Sequence, residues 1–183
     1  MKSILSPLGL DLRSVAESPG IPEIEETGTT FDANARLKAL AVAKAAGAWA
    51  LADDSGIEVD ALGGRPGVYS ARYAGEPPDD AANNRKLIAE LHGVPPERRT
   101  ARYRAVIAVA DPKRVLSVAE GACEGRIQDE PRGTGGFGYD PYFLLPDRGL
   151  TMAELPAEEK NRISHRGVAI RSIFGQLQKL MNS

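Results

Sequence analysis

The run Phe31–Ala46 constrains this chain most. It is rich in Ala, Leu and Lys, Thr29 or Thr30 precedes it as a cap, and Gly47 suits its end, so the pattern predicts a helix. Directly behind it, the apolar stretch Ala48–Ala52 runs into Asp53-Asp54-Ser55-Gly56. That pattern predicts a short strand ending in an acidic turn. It would place carboxylates at a strand's C-terminal end, where the sites of α/β folds gather. A chain of 183 residues has the size of one domain, 1–183, and buries a sizeable core.

Further helical and alternating segments follow. Residues 1–28 read as loop-rich, with one strand candidate at Leu10–Val15. Gly63–Gly67 reads as a loop. Asp79–His92 reads as a helix capped by Asp79 or Asp80, with Leu87, Ile88 and Leu91 on its buried face. Arg102–Ala110 alternates, setting Tyr103, Ala105 and Ile107 against Arg102, Arg104 and Val106, and turns at Asp111-Pro112. Val115–Glu120 and Ala122–Ile127 read as two more strands of an antiparallel meander. Gly133–Pro141 is a glycine-rich loop, and Thr151 with Glu154 matches a capping box. Val168–Met181 carries Ile170, Ile173, Phe174, Leu177 and Leu180 at helical spacing. The class is α/β or α+β.

Composition excludes several functions. With 42% apolar and 26% charged residues, the chain sits among globular proteins. A net charge of −2 predicts no nucleic-acid or membrane partner, so any phosphate must be held by a few placed cations. Cys123 is the only cysteine, which excludes an intrachain disulfide and a thiolate metal cluster and points to a reducing cytoplasm. The apolar run Leu37–Ala43 is broken by Lys38 and ended by Lys44, so no membrane span is expected. Met1-Lys2-Ser3-Ile4 starts no secretory signal.

Several constellations carry chemistry. Glu25 and Glu26 precede the first helix, where they either offset its dipole or supply oxygen ligands for Mg²⁺. Asn34 and Lys38 share a helix face and present an amide and an ammonium, to solvent or to phosphate oxygens. In Asp53-Asp54-Ser55-Gly56 a carboxylate either coordinates a metal or deprotonates a water, unless the segment is a simple Asx turn. Gly133-Thr134-Gly135-Gly136-Phe137-Gly138 matches G-x-G-x-x-G by letter. Its flanks, Glu130-Pro131-Arg132 and Tyr139-Asp140-Pro141, lack the strand and helix of a dinucleotide fingerprint. A loop that approaches a ligand closely, with Phe137 against a base, fits better. Lys160, Ser164, His165 and Arg166 form a donor-rich patch.

The order of these motifs is more informative than any one of them. Glu25-Glu26-Thr27-Gly28, Asn34-Ala35 with Lys38-Ala39, Ala52-Asp53-Asp54-Ser55-Gly56, Pro66-Gly67-Val68-Tyr69-Ser70-Ala71-Arg72-Tyr73, Gly135-Gly136-Phe137-Gly138-Tyr139-Asp140-Pro141, and Glu159-Lys160 with Ile163-Ser164-His165-Arg166-Gly167 occur in series. From about Leu5 onward the chain closely resembles the inosine triphosphate pyrophosphatase family. That resemblance implies an α/β fold with a long, mixed, curved sheet flanked by helices in two lobes and a substrate cleft between them. It implies a cytoplasmic homodimer that uses Mg²⁺ to hydrolyse ITP, dITP and XTP to the monophosphate and pyrophosphate. It makes Asp54 the acceptor of the water's proton and a neighbour of Mg²⁺, with Asp53 in support and Glu26 as a second metal-site carboxylate. It sets Lys38 toward the triphosphate and Ser55 against substrate. It gives Phe137, Gly138, Tyr139 and Asp140 to the nucleoside pocket, and Lys160, His165 and Arg166 to the purine's oxo groups.

The chain departs from the family pattern at its start. Members open with an apolar strand and a loop of the form Ser/Thr-x-Asn-x-x-Lys, and a segment of roughly 15 residues is missing here. The expectation is an N-terminally truncated domain, much weaker than a full-length relative or inactive. Two other readings follow: a catalytically impaired nucleotide-binding remnant, and a pyrophosphatase for modified pyrimidine triphosphates.

Overall fold

Helix α1 spans Phe31–Ala46 and is built as its sequence predicts. Thr30 Oγ1 accepts the Ala33 amide at 3.1 Å, and Gly47 closes the helix at φ 62°, a conformation open to glycine. Its buried face carries Phe31, Asn34, Ala35, Ala39 and Ala43. The alanines recur every four residues and allow close packing along that stripe. This computed structural model describes residues 5–18 and 20–181. The reading placed on Met1-Lys2-Ser3-Ile4 lies outside the described residues.

The strands are β1 (Ala50–Val59), β2 (Thr100–Ala110), β3 (Val115–Ile127), β4 (Phe143–Leu145) and β5 (Leu150–Thr151). They form one five-stranded sheet in the order β1-β2-β3-β4-β5, and β4 pairs antiparallel with both β3 and β5. The remaining helices are α2 (Asp80–Glu90), α3 (Ala157–Ile163) and α4 (His165–Met181). The protein is a mixed α/β structure with an open sheet, and the meander expected over residues 102–127 is extended by β4 and β5, which the sequence reading did not foresee. No helix of the described residues is long and apolar enough to cross a membrane.

The chain divides into two compact units. The first gathers the residues up to Asp54, Ala105–Gly121, and those from Arg166 on. Its core joins Leu5, Ile107 and Val109 to Ile170, Ile173 and Leu177 of α4. The second comprises Ser55–Arg104 and Ala122–His165. Its core packs Ile57, Leu87, Leu91, Tyr103, Phe143 and Met152. Each fully buried Leu, Ile or Phe contributes roughly 1.5–3 kcal/mol.

Four sequence expectations need correction. No strand forms over Leu10–Val15. Ser14 instead caps a 3₁₀ turn, Val15–Glu17, taking the Ala16 amide while Glu17 takes the Ser14 amide, and such local bonds compete with strand pairing. The strand after α1 does not stop at Ala52. It continues through Asp53-Asp54-Ser55-Gly56 to Val59, because Gly56 serves close packing and no turn. A Cβ there would meet Ser70 Oγ and the Gly67 carbonyl. Val115–Ile127 is one strand, with Gly121 inside it. Helix α4 starts at His165, three residues before Val168. Elsewhere Asp79 caps α2, and Thr151 with Glu154 forms the expected capping box, on the 3₁₀ turn Met152–Glu154.

Candidate functional site

In the first unit, α1 and β1 bring charges together. Asn34 and Lys38 lie one helical turn apart on α1. Lys38 Nζ is 2.8 Å from Glu26 Oε1 and 2.9 Å from Asp54 Oδ1. Asn34 is 1% exposed. Its Nδ2 donates to Asp54 Oδ2 at 3.1 Å, and its Oδ1 accepts the Gly28 amide at 2.7 Å. Its amide is thereby committed to aiming Asp54 and holding the Glu25–Gly28 segment, and the phosphate-facing reading of the helix face falls to Lys38 alone. Gly28 permits this approach, since a Cβ there would strike Asn34 Oδ1.

The cluster has its own electrostatics. Burial raises the Asp54 carboxyl above the ordinary aspartate value, and the bonds from Lys38 and Asn34 only partly offset that. Burial works against the Lys38 charge, yet Glu26 and Asp54 outweigh it, so Lys38 sits above the ordinary lysine value. Successive side chains of a strand point to opposite faces. Asp54 meets Lys38, whereas Asp53 Oδ2 accepts from Arg166 Nε at 2.9 Å. The structure thus pairs Arg166 with Asp53, which joins α4 to β1.

The second unit holds the other expected site residues. Asp140 is 4% exposed and accepts from three donors. These are Lys160 Nζ, the Phe137 amide at 2.9 Å and Tyr103 Oη at 3.2 Å. Gly136, at φ 79°, must be glycine, because a Cβ would run into Asp140 Oδ2 and Lys160 Nζ. The Phe137 ring is 63% exposed, with Lys160 Nζ 4.9 Å from its centroid. Tyr139 is buried, and its hydroxyl donates to the Ser70 carbonyl at 2.7 Å. His165 is buried and stacks on Tyr103, with centroids 4.8 Å apart and planes at 17°. Ser55, half-buried, opens this unit's share of β1.

Sequence reasoning missed two residues that hold these groups in place and misjudged the part of a third. Tyr103 looked like plain core in an alternating strand, yet it supports both Asp140 and His165. Ser70 lay in a motif without a role. Its hydroxyl donates to the Gly67 carbonyl at 2.6 Å and accepts the Ile57 amide at 2.9 Å, and its carbonyl anchors Tyr139. Asn34 was legible as polar and as a neighbour of Lys38, but not as the residue that aims Asp54.

The donor set fits a hard cation. Glu26 Oε1 and Asp54 Oδ1 converge on one point, which the Lys38 ammonium now fills. Among the described residues no cluster of three or more Asp, Glu, His or Cys groups is present. The protein would therefore supply two carboxylates, which is how Mg²⁺ is held when substrate phosphates and water complete its shell. Each unit of this mixed α/β protein thus holds one charged cluster: two carboxylates on a lysine in the first, and a glycine-rich loop beside a lysine in the second.

Comparison with known proteins narrows that class: the chain belongs to the Ham1 family, whose profile matches residues 1–176. It is 55% identical to a dITP/XTP pyrophosphatase of Desulforamulus reducens, over 98% of this chain and 90% of that one. It is also 55% identical to the dITP/XTP pyrophosphatase of Bacillus subtilis, over 97% and 89%. Among solved structures, the Staphylococcus aureus Ham1 protein superposes with a TM-score of 0.89 at 42% identity, covering 97% of this chain and 91% of that one. A nucleoside-triphosphatase / dITP/XTP pyrophosphatase from Mycobacterium abscessus gives 0.80 at 42% identity, covering 94% and 89%.

Proposed function

We propose that this protein is a nucleoside-triphosphate pyrophosphatase that hydrolyses aberrant purine triphosphates, dITP, ITP and XTP, to the monophosphate and pyrophosphate. Two close relatives bear the name dITP/XTP pyrophosphatase. The observation that carries the reading is the convergence of Glu26 and Asp54 on Lys38, with Asp54 aimed by Asn34. Water attacks the α-phosphorus, the bond to the bridging oxygen breaks, and pyrophosphate leaves. Asp54 takes the water's proton as general base. Lys38 offsets charge on the phosphates. Glu26 and Asp54 would hold Mg²⁺, which when bound neutralises phosphate charge. The impaired-remnant reading is not favoured, since the carboxylates and the lysine are assembled for chemistry.

In this reading the second unit's cluster reads the base. Hypoxanthine and xanthine carry a 6-oxo acceptor where adenine carries an amino donor. A site built from donors such as Lys160 leaves them unpaired against adenine, at a cost of roughly 1–3 kcal/mol for each buried mismatch. Phe137, Gly138, Tyr139, Asp140 and His165 shape that site, Ser55 contacts substrate, and Arg166 acts through Asp53. A cytoplasmic homodimer belongs to the same reading. The single cysteine, Cys123, is buried and its thiol is pushed up to about 11, which suits it to a core role.

The test is pyrophosphate release from ITP, dITP, XTP, ATP, GTP and modified pyrimidine triphosphates with Mg²⁺. The expected result is turnover of the first three, with Asp54→Asn slower by roughly 10²–10⁴-fold. Equal rates on ATP and ITP would sink the specificity claim, and full activity in Asp54→Asn would sink the mechanism.

A further inference from the structure

The glycine-rich loop is held at one residue by both of its backbone polar groups. Asp80 and Asn84 stand four apart on α2 and so share a face of that helix. Asp80 Oδ2 accepts the Gly138 amide at 2.7 Å, and Asn84 Nδ2 donates to the Gly138 carbonyl at 2.9 Å. Gly138 sits at φ 60°, a left-handed conformation natural to glycine. With that peptide gripped on both sides, its neighbours have little freedom. Phe137 is further tied through its own amide to Asp140 Oδ2, and Tyr139 through its hydroxyl to the Ser70 carbonyl. The exposed Phe137 ring keeps only its side-chain torsions.

Asn84 bears a cost for this grip. It is 8% exposed, and its Nδ2 also donates to the Asp80 carbonyl at 2.9 Å. Two carbonyl acceptors fix which end of the amide is which. Its Oδ1 is thereby left buried with no hydrogen-bond partner. A buried, unpaired carbonyl is rare in folded proteins and calls for a reason. An apolar side chain of similar size would remove the orphan and fill the same space, so packing alone does not explain an asparagine here.

We propose that Asp80 and Asn84 are positioning residues that set the glycine-rich loop through Gly138 and so determine how well the protein selects its base. The proposal rests on the reading that this loop receives the base. It assigns no chemistry to either residue, since both act through the backbone of Gly138. It predicts that freeing the loop weakens binding of the favoured nucleotide more than it slows the reaction.

The experiment compares the full chain with Asp80→Ala, Asn84→Leu and Asp80→Asn. Kinetics on ITP and ATP are measured alongside Tm and hydrogen exchange at the Gly138 amide. Asp80→Ala and Asn84→Leu should raise KM for ITP about tenfold, hold kcat within about twofold, and lower the preference for ITP over ATP. Asp80→Asn retains an acceptor and should recover most of the preference. Gly138 should exchange faster in Asp80→Ala than in the wild type. Asn84→Leu loses two donated bonds along with the orphaned carbonyl, so its Tm should fall by only a few degrees. A large fall in Tm with unchanged KM and preference would make both residues merely structural and overturn the proposal, as would unchanged kinetics with unchanged exchange. If the wild type itself leaves ITP intact, the proposed function fails on its own, and Gly138 exchange still decides whether the clamp exists.

Discussion

The two charged clusters are built on opposite principles. In the first unit, Asn34, Lys38 and Asp54 stand on a helix and a strand, and Glu26 reaches the same point from the segment ahead of α1. Regular backbone aims these groups, and one lysine satisfies two carboxylates. In the second unit, Phe137 to Asp140 lie on a loop with no regular structure of its own. Groups from elsewhere in that unit hold it: the side chains of Tyr103, Lys160, Asp80 and Asn84, and the Ser70 carbonyl. The buried Asp140 has three donors there, two of them neutral. Phosphoryl transfer needs charges placed within a fraction of an ångström, which rigid elements supply. A base-reading surface, the role proposed for this loop, instead needs backbone groups and an exposed aromatic ring, which a pinned loop supplies.

The strongest way to break this comparison is Lys38→Met. Removing the shared cation leaves Asp54 and Glu26 facing each other in a poorly solvated place. Stability should fall by about 3 kcal/mol, the lower end for breaking a buried pair because Glu26 keeps some solvent. The rate of pyrophosphate release should fall by about 10²–10³-fold. Added Mg²⁺ should restore much of the lost Tm, because two carboxylates without their lysine are a better cation site. Melting curves with and without Mg²⁺ check this. No restoration would mean that the carboxylate pair does not hold a cation.

The contrast also explains what was legible in the sequence. Helix α1 and its caps could be read from composition, because Thr30, the alanine-rich body and Gly47 act locally. The acidic motif was found, but its backbone was misread: Asp53-Asp54-Ser55-Gly56 has the letters of a turn. It runs extended inside β1 beside β2, and its glycine makes room for Ser70, whose hydroxyl sits where a residue-56 side chain would go and accepts the Ile57 amide. That information lies fourteen positions away in the chain. The loop Gly133–Pro141 was recognised by its glycines. Which atoms restrain it was not, because Tyr103 and Asn84 look in sequence like a core aromatic and a solvated amide. Arg166 was grouped with Lys160 and His165 by proximity in sequence, yet its Nε goes to Asp53 on β1.

A second, smaller effect sharpens the comparison from the other side. Lys160→Met removes one of three donors to Asp140 and leaves Tyr103 Oη and the Phe137 amide in place. The cost in stability should therefore be smaller than for Lys38→Met, about 1–2 kcal/mol. The kinetic signature should differ in kind. KM for ITP should rise and preference over ATP should fall about tenfold, with kcat largely kept. Steady-state kinetics on both nucleotides distinguish the cases. A kcat loss as deep as that of Lys38→Met would mean that the second cluster takes part in the chemistry.

The smallest expected effect belongs to a charge network that includes no residue of either cluster. Asp60 accepts from Arg102 at 2.9 Å and from Thr100 at 2.6 Å, and these bonds hold its carboxyl below the usual aspartate range. A depressed folded value means the unfolded chain binds the proton more readily. The stabilisation is therefore complete above the unfolded pKa of about 4 and is lost as pH falls through the lower folded value. Asp60 is 43% exposed, so solvent screening limits the contribution to less than about 1 kcal/mol. Asp60→Asn should lower Tm slightly at pH 7, and the gap to wild type should close below about pH 4. Pyrophosphate release and ITP preference should be unchanged. A change in either would mean that the β1–β2 ion pairs also set the geometry of the loop, and the second cluster would then depend on regular backbone as much as the first.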